Sequence, residues 1–457
     1  MTTATGPLGS TTGSTVRSAV ARVADALADP ALLIRHAGER QAAVSLEGSA
    51  GAALFLAELA GREPDRLPAA HAQLAVAARA LAGTATAGLY HGPASVLAAA
   101  QACARRGGHY PRLRHQLTEH VAGEQLARIA SVPSGAGVSW SAYDVIGGAT
   151  GTGRLLLGAV AEGDPTERAA AEPALRATLA HLTALSRPVT VDGHRVPGWW
   201  VPGRLQPTAA DREAFPRGDF NVGLAHGVAG PLALLVLAAE AGVTVDGQLA
   251  AVHRIGRWLA DRADHDTAGP YWEPRLPFDD ELVRGGGGVT APSGYAAAAS
   301  GGAWCYGAVG IANALVRAAR LTGEADWLRL GLDSARALLR RPGTDHHLKG
   351  PTVCHGRAGF LQSLWRLGRL TGDQELLDRT VPLARRLAAL ADGGAPFGFR
   401  HLAPARPDLG WDRSQPLRAE DNGGLLEGAA GVAAALLSVL PDAPGEGPYW
   451  DRVLLLS

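Results

Sequence analysis

Two of the three cysteines in the chain share a sequence context, and a histidine follows one of them. Cys305 lies in AWCYG and Cys354 in VCHG, where His355 is the next residue. Two thiolates and one imidazole with an open fourth position are typical of a catalytic zinc site rather than a structural one. The alternative is a pair of inert buried thiols beside a capping histidine. The third cysteine, Cys103, lies in a helical run and is expected to be a small core residue.

Such a zinc site would favour chemistry on an incoming thiol. The metal lowers the pKa of a thiol that binds to it, so a thiolate is present near neutral pH, and the two anionic ligands keep that sulfur nucleophilic. Zinc hydrolases more often use histidine and carboxylate ligands. The pattern therefore indicates thiol alkylation or thiol addition.

A repeated helical unit must position these residues. A Gly-x-x-Gly pattern followed by an apolar helical run occurs seven times, and its first glycines are Gly48, Gly92, Gly148, Gly227, Gly307, Gly356 and Gly428. The second copy has Ser95 in place of the second glycine. The segments between the copies have apolar residues at three- and four-residue spacing and charged residues on the other side, as amphipathic outer helices do. The sequence therefore predicts an all-α fold, an α/α toroid of seven hairpins, each with an inner and an outer helix.

The toroid is predicted to form one domain over residues 16–457, with a small irregular or β-containing insertion. Residues 1–15 are rich in Ser, Thr and Gly and are expected to form a disordered tail. Two segments, at about 187–220 and 271–302, are too long for simple connections and are rich in Gly and Pro. Because residues before each Gly-x-x-Gly should converge at one rim, insertions there are expected to shape a substrate channel.

Composition excludes several classes of protein. Lys+Arg 43 equals Asp+Glu 43, so the chain lacks the positive charge of a nucleic-acid or anionic-membrane binder. Three cysteines in 457 residues cannot make a disulfide framework. The most apolar stretch, 223–239, is shorter than the ~20 residues of a membrane span. No signal peptide is visible, and we expect a cytoplasmic protein without a transmembrane segment.

Four motifs carry a resemblance to a known family. GWWVP, FNVGLAHGVAG, AWCYG and VCHG, on seven Gly-x-x-Gly hairpins, resemble the lanthipeptide cyclases of the stand-alone class I type, over nearly the whole chain. The resemblance implies an α/α toroid with a central zinc ion. It implies Michael-type addition of peptide cysteine thiols to dehydroalanine or dehydrobutyrine, which forms lanthionine or methyllanthionine thioether rings. It also implies two partners, a dehydrated precursor peptide with its leader and a cognate dehydratase.

The resemblance also implies roles for particular residues. Cys305, Cys354 and His355 match the family's zinc ligands, and three further positions match its catalytic histidine, aspartate and tyrosine: His226, Asp144 and Tyr306. The histidine would deprotonate the thiol or protonate the enolate, and the sequence leaves this choice open. The aspartate would orient a partner or bind substrate, with helix capping as the alternative. The tyrosine is either a site residue or a packing aromatic. His91 matches no family position and is expected to be structural.

One family residue is missing. The family usually has an arginine four residues before the first zinc cysteine, where this chain has Gly301. Arg284, in the preceding Gly-rich loop, is the candidate substitute, and we expect it to fold over the zinc rim when peptide binds. The alternative is a solvated loop arginine.

Three other functions are consistent with parts of the sequence. Zinc-dependent thiol alkylation by an isoprenoid diphosphate would require a basic pocket, which the rim motifs lack. A toroid glycosidase would require paired carboxylates, but only Glu47 and Glu427 stand directly before Gly-x-x-Gly, and Asp144 is isolated. A non-catalytic member of the cyclase family, binding zinc, thiols or peptide, would explain the missing arginine.

Overall fold

Helices make up most of the ordered chain. The computed structural model describes residues 10–37, 44–82, 84, 88–107, 110–133, 135–285, 301–341, 348–405, 416–441 and 447–457. Among the helices that it describes, none combines the length and the apolar character that crossing a bilayer requires. Helix α1 begins at Ser10, so the last residues of the segment expected to be a tail are helical, while residues 1–9 lie outside the described residues.

Seven buried helices of the described chain form a closed inner ring. They follow the seven Gly-x-x-Gly patterns and are α3 (Ser49–Ala60), α5 (Pro93–Ala104), α7 (Ala149–Glu162), α10 (Ala229–Glu240), α13 (Ala308–Thr322), α15 (Arg357–Thr371) and α17 (Ala429–Val439). Each packs against the next, and α17 packs against α3. Because these helices have neighbours on nearly every side, their sequences are apolar nearly all round.

The second glycine of the pattern allows the preceding loop to fold back onto the first turn of its helix. A Cβ atom at Gly359 would lie 1.9 Å from the carbonyl oxygen of Val353, and one at Gly431 would lie 1.8 Å from that of Leu425. No side chain fits at these distances. The glycine is therefore required by the close approach of a loop that carries the rim residues.

Seven amphipathic helices of the described chain form the outer layer. They are α1 (Ser10–Leu27), α4 (Leu67–Ala80), α6 (Pro111–Ala130), α8 (Pro165–Leu185), α11 (Gln248–Asp261), α14 (Ala325–Arg340) and α16 (Gln374–Ala388). Six form hairpins with the inner helix before them, while α1 packs against α17. The predicted toroid is confirmed, and its seventh helix pair joins the two ends of the chain.

Short elements fill the connections. The other α-helices of the described chain are α2 (Pro30–Ala37), α9 (Ala209–Ala214) and α12 (Phe278–Gly285). Eight strands form four antiparallel pairs there: β1 (Val189–Val191) with β2 (His194–Val196), β3 (Asp219–Asn221) with β6 (Arg275–Pro277), β4 (Asp264–His265) with β5 (Pro270–Tyr271), and β7 (His401–Pro404) with β8 (Leu417–Glu420). The β3–β6 pair joins the two predicted insertions to each other, whereas β7–β8 lies outside both of them. Residues 286–300 of the second insertion lie outside the described residues.

Candidate active site

The loops before the inner helices bring one residue per repeat to the same rim. The residues directly before the first glycines are, in ring order, Glu47, His91, Gly147, His226, Tyr306, His355 and Glu427. Backbone hydrogen bonds join neighbouring loops. Ala225 N–H donates to the carbonyl of Cys305 (3.1 Å), and Cys354 N–H donates to that of Leu426 (2.9 Å). Repeats that are distant in sequence therefore present their side chains side by side.

The two rim cysteines and one histidine form a compact cluster. The Sγ atoms of Cys305 and Cys354 and a ring nitrogen of His355 all lie within 4.8 Å of one another, and Cys354 Sγ is 3.5 Å from His355 Nε2. Tetrahedral zinc, with bonds of about 2.3 Å to sulfur and about 2.0 Å to nitrogen, needs ligand atoms ~3.5–3.8 Å apart. The donor types and spacing therefore fit zinc. Both thiols are buried, whereas His355 is partly exposed.

The electrostatics of the cluster favour one thiolate even without a metal. Burial alone would raise the pKa of Cys305, but hydrogen bonding from Cys354 and the positive charge of His355 lower it well below its usual range. The hydrogen bond that Cys354 gives to Cys305, together with burial, raises the pKa of Cys354. Burial would lower the pKa of His355, but attraction to the Cys305 thiolate raises it. In contrast, Cys103 on α5 is fully buried without such partners, and burial raises the pKa of its thiol to about 12.

A carboxylate holds His226 at the same rim. His226 Nδ1–H donates to Asp144 Oδ2 at 2.6 Å, and Asp144 Oδ1 accepts the backbone N–H of Gly147 at 2.9 Å. The aspartate is 3% exposed. Because its acceptor atoms both have donors, Asp144 fixes the loop and the tautomer of the imidazole together. This leaves His226 Nε2 as the nitrogen that is able to exchange a proton.

Tyr306 lies beside the same histidine. Its ring centroid is 5.9 Å from that of His226, and its hydroxyl oxygen accepts a hydrogen bond of 3.4 Å from Asn221 Nδ2. Burial raises the pKa of Tyr306, so the hydroxyl stays protonated. Since the oxygen already accepts from Asn221, the hydroxyl proton remains available as a donor.

Two arginines of the second insertion bear on the missing family arginine. Arg284 forms a two-pronged pair with Asp264, with both N···O distances 3.0 Å, and its movement over the rim on peptide binding stays a prediction. Arg275 on β6 is a second cation, which the sequence did not point to because it stands alone in a Pro-rich insertion. Burial opposes its charge, but Asp219 raises the pKa of Arg275. Its Cζ lies 5.2 Å from the ring centroid of Trp140, which stacks on His226.

Two glutamates stand on the other side of the cluster. Glu427 lies 3.9 Å from His355 Nδ1 and 3.8 Å from His401 Nε2. Glu47 accepts the backbone N–H of Leu426 (2.7 Å) and of Glu427 (3.0 Å), so it ties the first rim loop to the last. Burial, with repulsion from Glu427, raises the pKa of Glu47 to about 7.

Comparison with known proteins identifies the family and the fold of the chain. The model of the lanthionine synthetase C-like protein family matches residues 45–455, a stretch that includes all seven Gly-x-x-Gly patterns. The solved structure of nisin cyclase matches with a TM-score of 0.72 and 18% sequence identity, over 96% of each chain. At that identity the likeness establishes the shared fold. Among curated protein sequences, the chain has no match.

Proposed function

The chain belongs to the lanthionine synthetase C-like protein family, and we propose that it acts there as a zinc-dependent lanthipeptide cyclase. Peptide cysteine thiols would add to dehydroalanine or dehydrobutyrine in a Michael-type reaction and form lanthionine or methyllanthionine rings. One observation carries the proposal. The Cys305, Cys354 and His355 cluster and the Asp144–His226 pair lie at one rim of the toroid.

The chemistry requires a thiolate and a controlled proton. Cys305, Cys354 and His355 would hold zinc, which supplies a Lewis acid that lowers the pKa of the incoming peptide thiol. In the reaction the S–H bond breaks, a C–S bond forms at the β-carbon, and the electron pair of the C=C bond moves toward the carbonyl. The α-carbon then takes up a proton. The reaction releases one proton and consumes one.

His226 is suited to carry that proton. Asp144 fixes Nδ1–H and would stabilise the imidazolium, so Nε2 serves as the single point of exchange. A base at Nε2 that takes the thiol proton is the same group that returns a proton to the α-carbon. Tyr306 would donate its hydroxyl hydrogen to the oxygen on which the enolate charge develops.

The substrate and setting follow from this chemistry. The substrate would be a precursor peptide, with its leader, in which a cognate dehydratase has already formed the dehydroamino acids. A reducing cytoplasm would keep Cys305 and Cys354 as thiols. The second candidate is a non-catalytic protein that binds zinc, thiols or peptide, and the glycine at position 301 favours it because the family's arginine is missing there.

The test measures metal and ring formation together. We expect about one zinc per chain, and we expect Cys354→Ala with His355→Ala to lose both zinc and cyclisation of a dehydrated precursor peptide. Cys103→Ala is the matched control, since it removes a buried cysteine outside the cluster. Mass spectrometry with a thiol trap counts cysteines that have not cyclised. Full zinc retention in the double variant would refute the metal site, and zinc binding without ring formation by the wild type would favour the non-catalytic candidate.

A further inference from the structure

The imidazole of His226 has two aromatic neighbours, and one of them stacks on it. The ring centroid of Trp140 is 4.8 Å away with an interplanar angle of 29°, and that of Tyr306 is 5.9 Å away at 34°. The hydrogen bond to Asp144 fixes one atom of the ring and leaves rotation about the Nδ1···O axis. The stacked indole of Trp140 restricts that rotation, because a tilted imidazole would collide with it.

Trp140 belongs to the same short turn as the aspartate. The 3₁₀ turn Trp140–Ala142 comes just before Asp144, and the backbone N–H of Asp144 donates to the carbonyl of Trp140 at 2.8 Å. This short segment therefore contacts His226 at two places. The carboxylate of Asp144 binds Nδ1 at the ring edge, and the indole of Trp140 stacks on the ring face. The indole Nε1 has no hydrogen-bond partner among the described residues, so its contribution comes from the flat ring rather than from its N–H group.

Arg275 supports the indole from the insertion. Its Cζ lies 5.2 Å from the ring centroid of Trp140, and its Nε donates to Asp219 Oδ2 at 2.6 Å. Its Nη2 donates to Gln206 Oε1 at 2.5 Å, and Gln206 in turn donates to Asp219 Oδ1 at 2.6 Å. Asp211 accepts from the remaining Nη1. Two carboxylates, Asp211 and Asp219, more than offset its single charge, so the guanidinium contributes a rigid planar contact rather than positive potential.

The β3–β6 pair contacts both aromatic residues that neighbour His226. Asn221 on β3 and Arg275 on β6 are register partners. Asn221 bonds the hydroxyl of Tyr306, and Arg275 lies on Trp140. One two-stranded element, built from two segments that are more than 50 residues apart, therefore contacts both rings that neighbour His226.

We propose that Trp140 is a positioning residue for His226 and that the β3–β6 pair is the clamp that keeps it in place. The inference rests on the proposed function, in which His226 Nε2 exchanges the reacting proton. The clamp keeps the imidazole plane, and with it the position of Nε2, fixed while Nδ1 stays on Asp144. It also gives the two insertions a role in organising the site.

The test compares Trp140→Leu, which fills space without a flat face, with Trp140→Phe, which keeps one. We expect Trp140→Leu to lower kcat for cyclisation of the dehydrated precursor ~10-fold or more, with KM and bound zinc unchanged, and Trp140→Phe to restore most of the rate. Trp327→Leu is the control for lost packing, because Trp327 is similarly large and contacts His253 on the outer layer. Wild-type kcat in Trp140→Leu, or a loss that Trp140→Phe does not recover, would overturn the proposal.

A second readout does not depend on catalysis. In protein labelled with ¹⁵N-histidine, the His226 resonances, assigned with His226→Gln, should change in Trp140→Leu and stay close to wild type in Trp140→Phe. Unchanged ¹⁵N shifts in Trp140→Leu would overturn the clamp even if the wild type formed no rings. Absence of ring formation by the wild type would count against the proposed function alone.

Discussion

The two sides of the cluster pair carboxylates with imidazoles in different ways. On the His226 side, Asp144 binds one imidazole at 2.6 Å. On the Glu427 side, one carboxylate lies 3.9 Å from His355 and 3.8 Å from His401. The first carboxylate binds a single imidazole, whereas the second lies near two.

Residues at the same position of the repeat therefore need not have the same role. Glu47 and His226 both stand directly before a Gly-x-x-Gly. The carboxylate oxygens of Glu47 accept hydrogen bonds from backbone N–H groups of the last rim loop, which stabilises the closure of the ring. His226 keeps one nitrogen unused by Asp144. Under the proposed function the His226 side would serve proton transfer, whereas on the Glu427 side Glu47 joins the first rim loop to the last.

The largest expected effect tests this division directly. His226→Asn should lower the rate of ring formation ~10²-fold or more and leave bound zinc unchanged, because it removes proton exchange without touching the cluster. The rate is measured by thiol trapping and mass spectrometry under single-turnover conditions.

His91→Asn is the matched control, since His91 occupies the same repeat position and pairs with Ser45 only through the backbone bridge. Its rate should stay within a few-fold of wild type. Equal losses in the two variants would show that the rim histidines share a structural role and would remove the contrast between the two sides.

Local patterns in the sequence were enough to predict the toroid and the residues of the cluster. Gly-x-x-Gly and the helical periodicity that follows it are local, so seven repeats could be counted and Cys305 and Cys354 placed at one rim. Other features depend on pairing between segments that are far apart in the sequence, and such pairing leaves no periodic pattern to recognise. Arg275 reaches Trp140 only because β6 pairs with β3.

The closure of the ring shows the same limit. Helix α1 completes the pair with α17, and Glu47 meets the loop of Glu427, because a circular arrangement brings the two ends of the chain together. The sequence places these two glutamates at repeat positions but contains no signal for their contact. The sequence does not predict the strand pair β7–β8 for a related reason. The residues between the two strands show no alternation of apolar and polar side chains.

A smaller effect is expected from the aspartate. Asp144→Asn should slow ring formation ~10–10²-fold with zinc retained, because an amide fixes the Nδ1–H tautomer less well and does not stabilise the imidazolium. Glu427→Gln, the corresponding change on the other side, should slow it less than about 3-fold, since Glu427 has no short bond to an imidazole. The two variants are compared in the same trapping assay. Similar losses would mean that both carboxylates act on the reaction.

The smallest expected effect is thermodynamic and concerns the two glutamates. Burial, with repulsion from Glu427, raises the pKa of Glu47 from 4.5 to about 7. The stability that this raised pKa provides is complete below pH 4.5 and is lost as the pH rises through about 7, where Glu47 must ionise beside Glu427. Glu427→Gln removes the neighbouring charge. In metal-free protein it should therefore add ~0.5–1 kcal/mol to the unfolding free energy at pH 8 relative to its effect at pH 5.5. Urea unfolding at pH 5.5 and at pH 8 measures this difference in unfolding free energy. An effect of equal size at both pH values would mean that the charge of Glu427 does not raise the pKa of Glu47.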